Sequence, residues 1–276
     1  MIPSPFALGA ALVASIVTVH YAHAATDSLQ TTLVKPARAI NGIAPTTRSY
    51  WMRQANQALA DVLGTPCPFA AFGAAIVNHT GHGLGNLICI GANTNPETGN
   101  PTLHGNPLPP FPPCLPFFFP LFFFSAREWR VTFHVQSAAN KNLAGEIAAI
   151  QNCTSILTDP KGPYNLTAAE SLLAFSQLSL YTNAESCPMC ASAIRWAGFK
   201  EYIYGTSIDR LVGEGWAQIR ISSMEVFRQS FDLASTTRLM GEVLTNETDP
   251  YFLWQYDADY RCPSGCARRN GRCKAH

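Results

Sequence analysis

Charge is scarce in this chain. Asp, Glu, Lys and Arg make up 13% of its 276 residues, and the formal net charge is +1. Proteins that grip long nucleic acid present a basic face, so that class of partner is set aside. The basic stretch Ala267–His276 is too short to reverse this. Long apolar runs are lacking too. Phe6–Val19 falls short of the ~20 residues that span a bilayer comfortably. The phenylalanine-rich stretch Pro107–Phe124 is broken too often by proline to do so. No internal repeat is visible. These absences leave one globular domain with a tail.

The same early apolar run has another reading. Ala22-His23-Ala24 follows it as a small-x-small cleavage pattern, which makes residues 1–24 a secretory signal peptide. The segment before the run carries no Lys or Arg, and an uncleaved anchor is the other reading. Cleavage predicts a secreted, extracellular protein with no membrane attachment. Four N-x-Ser/Thr sequons, at Asn78, Asn152, Asn165 and Asn246, agree with a secreted glycoprotein. Nine cysteines include a terminal cluster, Cys262, Cys266 and Cys273, which an oxidising compartment would explain.

Hydrophobic spacing sets the order of elements. Trp51, Ala55, Ala58, Leu59 and Val62 recur at helical intervals, predicting an amphipathic helix over Thr47–Leu63, stopped by Gly64 and Pro66. Phe72–Asn78 and Asn86–Ala92 are short apolar runs around a glycine-rich turn, hence a hairpin. Gly145–Cys153 reads as a buried helix, Ser171–Phe175 as a helical turn and Leu178–Asn183 as a strand. Cys187–Phe199 reads as a helix with Pro188 at its first position, where a missing N–H costs nothing. Glu201–Thr206 is a strand and Ser222–Phe231 a helix. Beyond Phe231 no period is legible. The alternation predicts an α/β fold, a sheet with helices on both faces.

One constellation carries chemistry. Removing Asn106–Gly145 joins the chain as "NPTLHGEIAAIQNC", which sets His104 one glycine from Glu146 at a helix start. Cys187 and Cys190 stand as C-x-x-C at a second helix start. One imidazole and two thiolates make a zinc site with an open fourth position for water. The positive end of a helix dipole favours the ionised thiolate. Glu146 lies too near His104 in sequence to be a convenient fourth ligand, and would instead move protons beside the water. C-x-x-C alone also suits a disulfide or a structural metal, and His104 alone would suit a solvated loop.

"PFAAFGAAIVN", "GANTN", the rejoined "NPTLHGEIAAI" and "ESCPMCASAIRWAGF-EYIYGT" together resemble the cytidine/deoxycytidylate deaminase-like superfamily, nearest its guanine deaminase and tRNA-adenosine deaminase branch. The likeness runs from about Thr47 to Thr206. It implies a three-layer α/β/α sandwich around a five-stranded mixed sheet, with Zn2+ as cofactor and a homodimer as assembly. The implied reaction is hydrolytic deamination of a nucleobase or nucleoside, of purine or cytosine type, with metal-activated water and Glu146 as proton shuttle. Asn93 corresponds to the family asparagine that binds the base or its sugar, and Glu185 to an acidic residue before the Pro-Cys pair. Ser186 departs from the family, which usually carries proline there.

The domain is thus expected over residues 47–250, interrupted by a foreign insert at 106–145 and followed by a cysteine-containing tail at 251–276. Rejoining flanks point to a retained intron. Sequencing the transcript across the codons of Gly105 and Glu146 tests that reading, and a continuous message containing the segment would refute it. In the chain as written, closing a ~40-residue loop costs roughly 3 kcal/mol plus a constant. Structural zinc can contribute ~10–16 kcal/mol, enough to gather the ligands. Catalysis tolerates misplacement less, so the competing expectations are a catalytically impaired zinc-binding protein and a disulfide-rich secreted interaction protein. Setting aside Cys187, Cys190 and Cys114 leaves six cysteines, up to three disulfides of unreadable connectivity. Free buried thiols are the other reading for Cys89 and Cys153.

Overall fold

The computed structural model describes residues 39–81, 83–93 and 144–276. Chain order begins with α1 (Pro45–Leu63), β1 (Gly73–Asn78) and β2 (Asn86–Ala92). Next come α2 (Gly145–Thr158), α3 (Ala168–Ala174), β3 (Leu178–Ala184), α4 (Pro188–Ala197) and β4 (Glu201–Thr206). Then follow α5 (Ile208–Gly213), α6 (Ser223–Gln229), β5 (Arg238–Met240), α7 (Thr245–Thr248) and α8 (Pro250–Leu253). A hairpin of β6 (Cys266–Arg269) and β7 (Arg272–Ala275) ends the chain.

The main sheet has five strands in the order β2-β1-β3-β4-β5. β1 runs antiparallel to both β2 and β3, while β3, β4 and β5 are parallel. It is therefore mixed, as the resemblance implies. Period-two alternation sorts its side chains into two cores. Ala74, Ile76, Leu180, Tyr202 and Leu239 face Ala149, Cys153 and Leu157 of α2, Ile194 of α4 and Phe227 of α6. Their neighbours Ala75, Val77, Tyr181, Ile203 and Met240 face Trp51, Met52 and Ala55 of α1. Helix, sheet and helix make the three layers. On the α1 side a buried Arg48–Glu201 pair, 3.0 Å apart, also takes hydrogen bonds from Asn41 and Ser179 to Glu201.

Several boundaries differ from the expectation. α2 continues to Thr158, since "SILT" keeps Leu157 on the buried face. α3 starts at Ala168 because Thr167 and Glu170 form a reciprocal capping box. β5 escaped because three residues at a sheet edge show no alternation. The terminal hairpin turns on Asn270-Gly271, with φ of 53° and 74°. An Asn-Gly pair of this kind is a strong hairpin signal that the expectation did not use.

Three disulfides pair the six remaining cysteines: Cys67–Cys266, Cys89–Cys153 and Cys262–Cys273. Cys89 and Cys153 are thus crosslinked rather than free thiols. Among the described residues no helix is long and apolar enough to cross a membrane.

Candidate active site

The site forms where the C-terminal end of β3 meets the N-termini of α2 and α4. Cys187 is the N-cap of α4, with extended φ and ψ of −60° and 164°, and Pro188 opens the helix. Cys190 lies one turn on. The backbone N–H of Ala191 donates to the Cys187 carbonyl at 2.8 Å, which sets the first turn. Gly198 closes the helix in the left-handed region, φ 72°. Both thiols are free and buried, so the crosslink reading of C-x-x-C is overturned.

The two sulfurs lie close enough to shift each other's ionisation. That interaction lowers the Cys187 pKa against the opposing effect of burial. It raises Cys190 well above an ordinary thiol, and burial and the neighbouring Glu146 push the same way. The Glu146 carboxyl lines the same cleft as both thiols. Its own position comes from close backbone packing. A Cβ on Gly91 of β2 would overlap the Gly145 carbonyl and the Ala149 nitrogen, and one on Gly145 would stand 2.7 Å from the Phe72 carbonyl. Only hydrogen at both positions lets α2 press onto the sheet this closely. Gly145, the last residue of the segment set apart as an insert, is thus the buried first residue of α2.

Phe72, Ala144, Glu146, Glu185, Cys187, Cys190 and Gln218 line a cleft of about 10 Å³. That is roughly the room for one water or ion. A far larger cavity, about 620 Å³, lies elsewhere and contains none of these side chains. Convergent donors and a carboxylate, rather than volume, mark the smaller one as the site.

Three residues in and around the cleft have partners that the sequence did not reveal. The Glu185 carboxylate accepts from the N–H of Ile208 at 2.9 Å and from the N–H and Oγ of Ser223 at 2.8 and 2.7 Å. It therefore anchors the first residues of α5 and α6. Asn183 accepts from the Gly73 N–H at 2.9 Å and donates to the Ala71 carbonyl at 2.8 Å, which pins the Phe72 segment. Ser186 keeps an N–H that proline would lack, and that N–H donates to the Tyr202 hydroxyl at 2.7 Å. Nothing local in the sequence links Tyr202 to Ser186.

Of the predicted site residues, the fold brings Glu146, Cys187 and Cys190 together. Asn93 is buried at the end of β2, where its N–H donates to the Phe72 carbonyl at 2.9 Å and its amide to the Ala70 carbonyl at 3.5 Å. That backbone bond sets it beside Phe72 of the cleft wall. His104 lies outside the described residues. Among those described, no three His, Cys, Asp or Glu side chains converge as a metal site. Two unpaired thiols at a helix start nevertheless suit zinc, which needs one further protein ligand here.

No protein-family model and no curated protein matches the sequence. Solved structures match over most of its length at low identity. A guanine deaminase from Nitrosomonas europaea is 13% identical with a TM-score of 0.44, over 79% of this chain and 86% of that one. A structure from work on tRNA:A34 deaminases is 16% identical with a TM-score of 0.40, over 75% and 99%. A Thermotoga maritima diaminohydroxyphosphoribosylaminopyrimidine deaminase/reductase is 16% identical with a TM-score of 0.41, over 76% of this chain and 40% of that one.

Proposed function

We propose that this chain is a secreted, zinc-dependent hydrolytic deaminase of a nucleobase or nucleoside. One observation carries the reading: two free, buried thiols open a helix, and a buried carboxyl, Glu146, lines the same cleft. Cys187 and Cys190 would hold the metal, with His104 as the third ligand. Zinc, when bound, supplies a Lewis acid that brings water toward ionisation at neutral pH.

The chain's own groups do the rest. A Glu146 carboxylate oxygen takes a proton from the attacking water and returns it to the ring nitrogen beside the amine-bearing carbon. A second proton, passed through the same carboxyl, goes to the departing amine, which leaves as ammonia, while water oxygen becomes the ring carbonyl. Phe72 lines the cleft beside these groups. Asn93 binds the base or its sugar.

Secretion is supported by the three disulfides, which an oxidising compartment sustains. Asn165 and Asn246 are exposed and suit glycosylation. Asn152 is half-buried and donates to the Ile90 carbonyl at 3.0 Å, so it stays unmodified. Residues 1–24, the proposed signal peptide, lie outside the described residues.

Ammonia release from guanine, adenine, cytosine and their nucleosides tests the activity, with Glu146→Gln as control. Metal analysis of the purified chain runs beside it, with about one zinc per chain expected. Protein without zinc, or ammonia release that survives Glu146→Gln, would overturn the reading.

A further inference from the structure

A second cavity lies apart from the deaminase cleft. About 620 Å³ in volume, it opens between α1, the α7–α8 segment and the C-terminal segment. That size lies within the range of small-molecule sites. Arg53, Asn56 and Gln57 come from one face of α1, Glu247 and Tyr251 from the opposite wall, and Arg261 from the tail.

Its walls are built rather than incidental. Cys262 of the lining is crosslinked to Cys273, and the Cys67–Cys266 bond ties the same terminal segment to the loop after α1. Arg53 bridges the two helical walls, donating twice to the Glu247 carboxylate at 2.7 and 2.6 Å. Arg261 donates to the Asn246 carbonyl and so stands across the mouth. The lining carries two guanidiniums and one carboxylate, and Asp249 nearby also feels the Arg261 charge. Asn56 is only 6% exposed, and its amide oxygen has no hydrogen-bond partner. A buried amide left in that state costs free energy unless something satisfies it.

We propose that this cavity binds a small polyol carrying one anionic group, such as a sugar phosphate, as a site separate from the deaminase cleft. The anion sits against Arg261, whose partner is a neutral carbonyl, while Arg53 stays with Glu247. Hydroxyls, each donor and acceptor, meet the Asn56 amide nitrogen, the Tyr251 hydroxyl and Ser264. The inference does not depend on the deaminase reading, and each can fail alone.

Thermal unfolding of the full, disulfide-bonded chain at fixed ionic strength tests it, with three probes: ribose, inorganic phosphate and ribose 5-phosphate. The expected result is a saturable rise in Tm with ribose 5-phosphate, reached at concentrations at least tenfold below those needed for either other probe. Arg261→Gln should weaken that binding about tenfold or more. Tyr251→Phe removes only a hydroxyl, preserves the packing, and should weaken it severalfold, so the test survives a misfolded arginine variant. No saturable shift with ribose 5-phosphate, phosphate alone acting as well, or binding untouched by a folded variant would overturn the proposal.

Discussion

Helix α2 and its surroundings hold two pairs of cysteines with opposite fates. Cys89 and Cys153 join β2 to α2 as a disulfide, two turns along the helix from Glu146. Cys187 and Cys190, against the other end of that helix, stay thiols. Both pairs are buried. The first joins two elements and holds them together. The second lies within one helical turn, where a crosslink would add little constraint, and its sulfurs share a cleft with a carboxyl. Burial alone therefore does not decide a cysteine's role. What its sulfur faces does.

The largest expected effect separates the pairs chemically. Cys190→Ser should abolish zinc binding and reduce ammonia release to background, read by metal analysis and assay. In the unaltered protein, alkylation should reach Cys187 and Cys190 after chelation, and Cys89 and Cys153 only after reduction. Mass spectrometry reads this, and labelling of Cys187 and Cys190 without chelation would break the contrast. Next, Glu146→Gln should keep zinc yet lower kcat roughly 10²–10⁴-fold. Loss of the metal as well would make Glu146 a ligand rather than a proton carrier.

Removing the structural pair should act on stability. Cys89→Ala with Cys153→Ala opens a loop of 64 residues in sequence separation, worth about 4 kcal/mol by chain entropy. Denaturant unfolding should show that loss, with zinc content unchanged. Tyr202→Phe orphans the Ser186 N–H and should cost about 1–3 kcal/mol, together with weaker zinc retention against a competing chelator. A stability loss without that second effect would leave Tyr202 a packing residue only.

The smallest effect is a control on the opposite face of the sheet. His79 has its pKa lowered chiefly by burial, and its ring nitrogen lies 3.0 Å from the Tyr181 hydroxyl. Its folded pKa lies below the unfolded value near 6.5. The stability it confers is therefore complete above that pH and is lost as pH falls through the folded value. His79→Leu should flatten the acid side of the Tm-against-pH curve and leave both cysteine pairs unchanged.

Much of this was legible in the residues. The layered α/β order followed from spacing, because amphipathic helices and short apolar runs must bury one face wherever they lie. Glu146, Cys187 and Cys190 were legible because each stands at a helix start with a recognisable neighbour. Their approach to one another was expected only through the shared metal and the family resemblance, since they lie about forty positions apart and local pattern carries no such distance. The Cys89–Cys153 pairing was illegible for the same reason.

By itself, then, the sequence determined which segments coil, which extend, and which side chains could bind a metal or carry a proton. Those properties depend on neighbours a few residues away. The tertiary structure decided which cysteines close and which stay open, and how Glu185 came to hold two helices. It also decided that hydrogen at Gly91 and Gly145 lets Glu146 share a cleft with Cys190. Each of these requires two distant backbones to meet within ångströms, and only packing of the whole sheet sets that distance.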